Sequence, residues 1–382
     1  MTMTGLSILL VSVWGASTGV EIPDGYELVQ IQHDWEFHDT VQSMNDCGQA
    51  VFHKRMGPSN RNLEIFLYDN GNSFRLTDNV VHEAYPDIND SGTIIWGRVS
   101  EDGTGAETIR LRRGVEDVIS KPGTGASGRL NNRGHAVWNY RPSNESVTRL
   151  VLYDGKRARV IVDDDELDQE ERINDRDQIV WTRSPRQGGF EVWLFDDGES
   201  QRLTDDGIVS DINNEGEVVW ESDDGVFLWK NGRTRQVTDW GIAGDMNDHG
   251  DIYFTRFHEN DRTYQACVYL DGRIYELTDN EHRSTRGSIN NAGEIVWTMG
   301  YFPEGDIMIM RRTRTGEADF DGDIDLVDFA EFSRCMIGPD WDERVQRGPD
   351  ETLCECRFLD INHDGDVDLG DFARFQCAFT GE

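Results

Sequence analysis

The chain lacks any excess of basic residues. Its 382 residues hold 37 Lys and Arg against 73 Asp and Glu, a formal net charge of -36. Phosphate backbones are held by clustered Lys and Arg, so nucleic acid is excluded as a partner. A membrane-length apolar run is missing too. The run Leu6 to Trp14 is far short of the roughly 20 residues a spanning helix needs, and small residues, Gly15 to Gly19, follow it. Residues 1–19 therefore read as a signal-peptide core with a cleavage region, although no Lys or Arg precedes it. The expected location is secreted or cell surface.

Catalytic signatures are also missing. The nine His are scattered, and neither His-x-His, His-Glu-x-x-His nor a Gly-x-Ser-x-Gly elbow occurs, so no catalytic residue is assigned. The run Pro122 to Gly128 is rich in Gly, but a turn and strand follow it where a phosphate cradle needs a helix N-terminus; it reads as a flexible inter-blade loop. Cysteines number six, without the Cys-x-x-Cys spacing of a thiolate metal site. Four of them, Cys335, Cys354, Cys356 and Cys377, fall near the C-terminus. Export favours two disulfides there, with Cys354 and Cys356 each reaching one of the other two. Cys47 and Cys267 are expected as buried thiols.

What is present is repetition. A turn recurs every 34 to 44 residues, from Met44-Asn-Asp-Cys-Gly48 through the copies that begin at Ile88, Leu130, Ile173, Ile212 and Met246 to Ile289-Asn-Asn-Ala-Gly293. Asn and Asp bond their own backbone in tight turns, and Gly in fifth place, or Asp177 in one copy, tolerates positive φ. Seven residues after the first Asn stands an aromatic: Phe52, Trp96, Trp138, Trp181, Trp220, Phe254 and Trp297. A fixed place in every copy points to packing between sheets. The recurrent acids Asp46, Asp90, Asp175 and Asp248 read as structural for the same reason. Off-phase aromatics such as Trp35, Tyr140, Trp240, Tyr301 and Phe302 are the better candidates for a ligand platform.

Further strands follow each turn, as in Ile65 to Asp69 and then Arg75 to Asp78. Short β-branched and aromatic strands in units of about 40 residues predict a mainly β fold, a seven-bladed β-propeller over residues 20–312. The seventh copy ends at Asp306 to Arg311 without a further strand, and an orphan strand, Glu27 to Ile31, precedes the first. The orphan is expected to complete the last blade and latch the ring. These strand texts resemble TolB-like extracellular propeller repeats. That resemblance implies blade shape and leaves function open.

After a linker at 313–316, residues 317–382 form an acidic segment, 19 Asp and Glu against 5 Arg, built around two loops of one design. Glu317, Asp319, Asp321, Asp323, Asp325 and Asp328 occupy loop positions 1, 3, 5, 7, 9 and 12, and Asp360, Asn362, Asp364, Asp366, Asp368 and Asp371 repeat them. Gly322 and Gly365 stand at the sharp turn in position 6. Oxygen donors at these offsets, with a backbone carbonyl at 7, suit calcium, so two ions are expected. Each loop leads into the same short helix, Asp328 to Phe332 and Asp371 to Phe375, giving a small α-helical calcium-binding unit with EF-hand-type loops.

The duplicated loop and helix, with Asp at position 12, resembles the type I dockerin. The resemblance implies calcium-dependent folding and attachment to a cohesin-like protein or cell-surface component. Positions 10 and 11 hold Leu326-Val327 and Leu369-Gly370, where many dockerins present Ser-Thr to the cohesin. The function expected from the whole chain is a secreted, non-enzymatic propeller platform for a protein or polysaccharide, carried by that module. The alternative is an extracellular polysaccharide-degrading glycoside hydrolase or lyase built on the ring.

Overall fold

The computed structural model describes residues 20–32, 39–56, 63–69, 72–99, 105–142, 145–258, 263–279, 283–300, 306–313, 326–335, 359 and 369–380. Seven antiparallel sheets of four strands each make up the ring. The first comprises β2 (Asp39–Met44), β3 (Ala50–Arg55), β4 (Leu63–Asp69) and β5 (Asn72–Arg75), in that order outward. The predicted strands lie here, the last of each blade slightly earlier in the chain than expected. An innermost strand precedes each turn, and sequence patterning did not reveal it. These strands are β2, β6 (Glu83–Ile88), β10 (Arg129–Leu130), β14 (Leu167–Ile173), β18 (Ile208–Ile212), β22 (Ile242–Met246) and β26 (Ser284–Ile289).

The ring closes as predicted. Strand β1 (Tyr26–Gln32) pairs antiparallel with β28 (Asp306–Arg312), outermost in a sheet of order β1, β28, β27 (Ile295–Met299), β26. Joining the chain's first strand to its last blade leaves no gap between sheets for another strand to invade. Between blades the phased aromatics are buried: Trp96, Trp138, Trp181 and Trp297 are at most 1% exposed, as are Phe52 and Phe254. Trp138 belongs to one such layer with Ile95, Leu130 and Val151. Flat rings wedged between twisted sheets bury large areas on both sides, which is why this position admits only large side chains.

The turns do more than reverse the chain. In every copy the first Asn accepts the backbone N–H four residues on, as Asn213 Oδ1 does from Glu217 at 2.9 Å. Its Nδ2 donates across the blade boundary to the next Asn carbonyl, from Asn45 to Asn89 and on around the ring until Asn290 returns to Asn45, at 2.9–3.3 Å. Seven amides thus form a closed hydrogen-bonded circle. The fifth residue takes positive φ in each copy, from Gly48 at 63° to Gly250 at 81°, and Asp177 at 61°.

Among the described residues of the acidic segment are two helices, α1 (Leu326–Cys335) and α2 (Leu369–Thr380). Phe332 and Phe375 are buried, with ring centroids 4.9 Å apart, and Phe372 lies 5.7 Å from Phe332. The repeated Asp-Phe-Ala-x-Phe text therefore brings equivalent aromatics together, their rings tilted by 32°. Residues 1–19 and the remaining parts of both acidic loops lie outside the described residues. One cysteine departs from expectation: Cys47 is disulfide-bonded. Cys267 is the buried thiol that was expected, and burial pushes it up to about 12, which leaves it inert as a nucleophile.

Asn213→Ala should expose the cost of breaking the amide circle. Truncation leaves the buried N–H of Glu217 without its acceptor and takes from the Asn247 carbonyl one of its two donors, the other being the Gly250 N–H, so a loss of about 2–5 kcal/mol is expected. Urea unfolding measures it, against Gln201→Ala on an exposed outer strand, expected to change stability by less than about 0.5 kcal/mol. Equal losses in the two variants would refute the role of the circle.

Candidate functional site

The innermost strands line a central channel of about 650 Å³. At one mouth stand the second residues of the turns: Asp46, Asp90, Asn132, Asp175, Asn214, Asp248 and Asn291. Each backbone N–H in this set donates to Oδ1 of the next member, all seven at 2.7–2.9 Å, and the circle closes from Asn291 to Asp46. The three Asn side chains each bridge two carboxylates. Asn214 Nδ2, for example, donates to Asp175 at 2.9 Å and Asp248 at 3.1 Å. The recurrent acids are structural, as the repeat implied.

Only Asp46 and Asp90 are neighbours without an Asn between them. Burial pushes Asp90 up to about 7, with the Asp46 charge adding to the shift. Asp46 is raised as well, chiefly by burial. Both groups would be ionised in a solvated tail, so the fold itself holds a proton near this contact at mildly acidic pH.

A second level lies deeper, two residues before each first Asn. Here the repeat breaks. Blades one to seven contribute Ser43, Asp87, Arg129, Arg172, Asp211, Asp245 and Ser288. Asp87 accepts the Leu130 N–H at 2.7 Å, Asp211 that of Met246 at 3.0 Å, and Asp245 the Ser288 hydroxyl at 2.5 Å. Asp211 and Asp245 are hydrogen-bonded to one another. Burial, then the Asp245 charge, holds Asp211 well above the usual carboxylate range. Asp211 keeps part of its surface open to the channel, but protein encloses the rest. Burial likewise raises Asp87 and Glu171, against the pull of Arg129 and Arg172.

Two bulges shape the wall beyond this level. Tyr85 and Glu170 sit at φ 55° where the β6 and β14 registers shift, an uncommon conformation for residues with a side chain. The bulge leaves Tyr85 54% exposed, facing His53 edge-on at 5.4 Å, and the Tyr85 N–H donates to His53 Nδ1 at 3.3 Å.

Sequence reasoning missed this channel level, although a signal existed: a position at constant offset from an invariant Asn that fails to repeat. The predicted metal residues are placed only in part. Asp371 is buried as the third residue of α2, and Asp328 is the third residue of α1. Glu317, Asp319, Asp321, Asp323, Asp325, Asp360, Asn362, Asp364, Asp366 and Asp368 lie outside the described residues. Among the described residues no group of three His, Cys, Asp or Glu is arranged to hold a metal. Of the off-phase aromatics, Trp35, Tyr301 and Phe302 lie outside too, and Tyr140 is half-buried. Trp240 is 36% exposed and packs 6.2 Å from Phe257. In the Gly-rich run a Cβ on Gly125 would stand 2.4 Å from Glu107 Cα, and one on Gly128 2.5 Å from the Val137 carbonyl oxygen. Close backbone approach explains those glycines.

Below the unfolded carboxyl value near about 4, Asp90 is protonated in both folded and unfolded chains and its raised value contributes its full stabilisation. That contribution is lost as pH rises through about 7. Thermal unfolding should therefore shift to lower temperature between pH 5 and 8, by an amount that Asp90→Asn reduces. An identical pH slope in the variant would locate the effect elsewhere.

No family model matches the sequence, and no curated protein is found to be similar to it. Solved structures share the fold. The β-propeller domain of the Trilobed protease from Pyrococcus furiosus aligns with a TM-score of 0.55 at 13% identity, over 73% of this chain and 94% of that one. That domain has an open velcro topology, whereas here β1 pairs with β28 and fastens the ring. Pyrococcus horikoshii acylaminoacyl peptidase gives 0.54 at 13%, over 72% of this chain and only 53% of the peptidase. Oligogalacturonate lyase from Vibrio parahaemolyticus gives 0.54 at 11%, over 77% and 98%. TolB from Acinetobacter baumannii gives 0.44 at 13%, over 68% and 78%. At these identities the likeness is one of fold, and the chain is a seven-bladed β-propeller with TolB among its structural neighbours.

Proposed function

We propose that the chain is a secreted, non-enzymatic binding protein. The ring is the platform for a protein or polysaccharide, and residues 317–382 form a dockerin-like module that attaches it to a cohesin-like protein or cell-surface component. The observation that carries this reading is the channel level that departs from the repeat. The turn residues recur for ring closure, whereas Asp87, Arg129, Arg172, Asp211 and Asp245 differ from blade to blade and line the channel, where they can meet a ligand. They stand on strands of a rigid sheet, where recognition is positioned without ordering cost.

Calcium fits the oxygen-only donor sets of the two acidic loops. Two ions would offset clustered carboxylates that otherwise repel, and so couple binding to folding of the module. The packing of Phe332 on Phe375 supports a paired arrangement of the two loop-helix units.

A second reading has one specific support. Two carboxyls, Asp211 and Asp245, depart from the repeat inside a cleft, as a polysaccharide-degrading hydrolase would require, and one structural neighbour is an oligogalacturonate lyase by its description. Their direct hydrogen bond weighs against hydrolysis. Retaining glycosidases hold their two carboxyls about 5–5.5 Å apart and inverting ones farther, to admit the sugar or a water.

Full-length protein in calcium should unfold at a temperature at least several degrees above that in chelator, with about two ions bound per chain by equilibrium dialysis. An unchanged midpoint would remove the calcium module. A glycan array and a pull-down in calcium test the platform, with release of reducing ends from a polysaccharide panel as the outcome that replaces binding with catalysis.

A further inference from the structure

One half of a disulfide is placed by the ring. Cys47 is disulfide-bonded, whereas Cys267, on β24 (Thr263–Leu270) of blade six, is a buried free thiol. The chain has six cysteines, which leaves Cys335, Cys354, Cys356 and Cys377 as the partners available to Cys47 within it. All four belong to the acidic segment.

Two features of the ring agree with a bridge to that segment. Cys47 holds the fourth turn position, where Ser91, Arg133, Arg176, Glu215 and His249 are exposed in blades two to six, yet Cys47 is only 5% exposed. Blade one is thus covered at a place where five other blades meet solvent. The second feature is the exit from the ring. Arg312, at the end of β28, donates from Nε to the Ala292 carbonyl at 2.7 Å, and the Thr313 N–H donates to the Gly25 carbonyl at 2.8 Å. Ala292 is the fourth turn residue of blade seven, and that turn is bonded to the Cys47 turn through Asn290 and Asn291. The chain therefore leaves the ring one blade away from Cys47. Even Cys335, the first of the four, follows Thr313 by about 22 residues, a length that spans roughly 70 Å when extended.

We infer that a disulfide joins Cys47 to one of Cys335, Cys354, Cys356 and Cys377, and so fastens the acidic segment to blade one beside the channel mouth that carries Asp46. Its formation takes two electrons and two protons from the two thiols, and an oxidised dithiol carrier of an exporting compartment accepts them as its own disulfide opens. The bridge also changes the count within the segment. With one of the four sulfurs joined to Cys47, three remain, and three can close only one further disulfide. The two internal bridges expected from the sequence cannot both form, and at least one cysteine of the segment is a thiol able to pair with a second molecule. The bridge does not depend on what the acidic loops bind, so it and the calcium reading stand or fall separately.

Peptide mapping of the full chain without reduction tests the inference. Protein purified without reductant is unfolded in denaturant with a thiol-blocking alkylator, digested, and read by mass spectrometry. The Cys47 peptide should be recovered joined to a peptide that holds one of the four C-terminal cysteines, from protein that runs as a monomer on a non-reducing gel. Blocked thiols should be found at Cys267 and at one or more of the four. A Cys47 peptide that carries the blocking group overturns the inference, and so does one joined to Cys267 or to a second chain.

Discussion

The hydrogen-bonded circle of seven turn asparagines is the constraint from which the rest follows. Each Asn serves two masters: its oxygen holds its own turn, and its nitrogen holds the next blade. Because Asn290 donates to Asn45, no blade has a free side at this level. The latch of β1 on β28 does the same work at the periphery. Between those two closures the phased aromatics fix blade spacing. The varied residues of the innermost strands add bonds of their own across blade boundaries, as Asp87 does with Leu130 and Asp211 with Met246.

An odd number of blades imposes a second constraint. The mouth alternates carboxylate and carboxamide, an arrangement in which every Asn bridges two acids and no two acids touch. Alternation of two kinds cannot be completed around seven positions; one like pair is unavoidable. Here it is Asp46 beside Asp90, and the backbone N–H of Asp46 still donates to Asp90 at 2.8 Å, so the fold keeps the contact despite its charge. The proton held there follows from the arithmetic of the ring together with burial, without any need for a catalytic purpose.

Much of this was legible in the sequence, and for physical reasons. Turn chemistry and large buried aromatics are local and repeated seven times, so blade number, the packing role of Trp138 or Trp181 and the latch strand could all be read. The innermost strands could not. β10 is two residues long, and the side chains there are Arg, Asp, Ser or Gly facing a channel, so the alternation that marks a half-buried strand is missing. The channel charges were hidden by distance, since residues from Ser43 to Ser288 meet only after the ring has closed. The bridge at Cys47 was hidden likewise, because sequence spacing says nothing about which sulfurs approach across a closed fold.

The separation between invariant and variable levels also argues about what kind of function the ring supports. Turnover asks for groups held apart by the width of a reacting bond, each with its own protonation state. At Asp211, burial and then the charge of the adjacent Asp245 hold the carboxyl well above the usual carboxylate range.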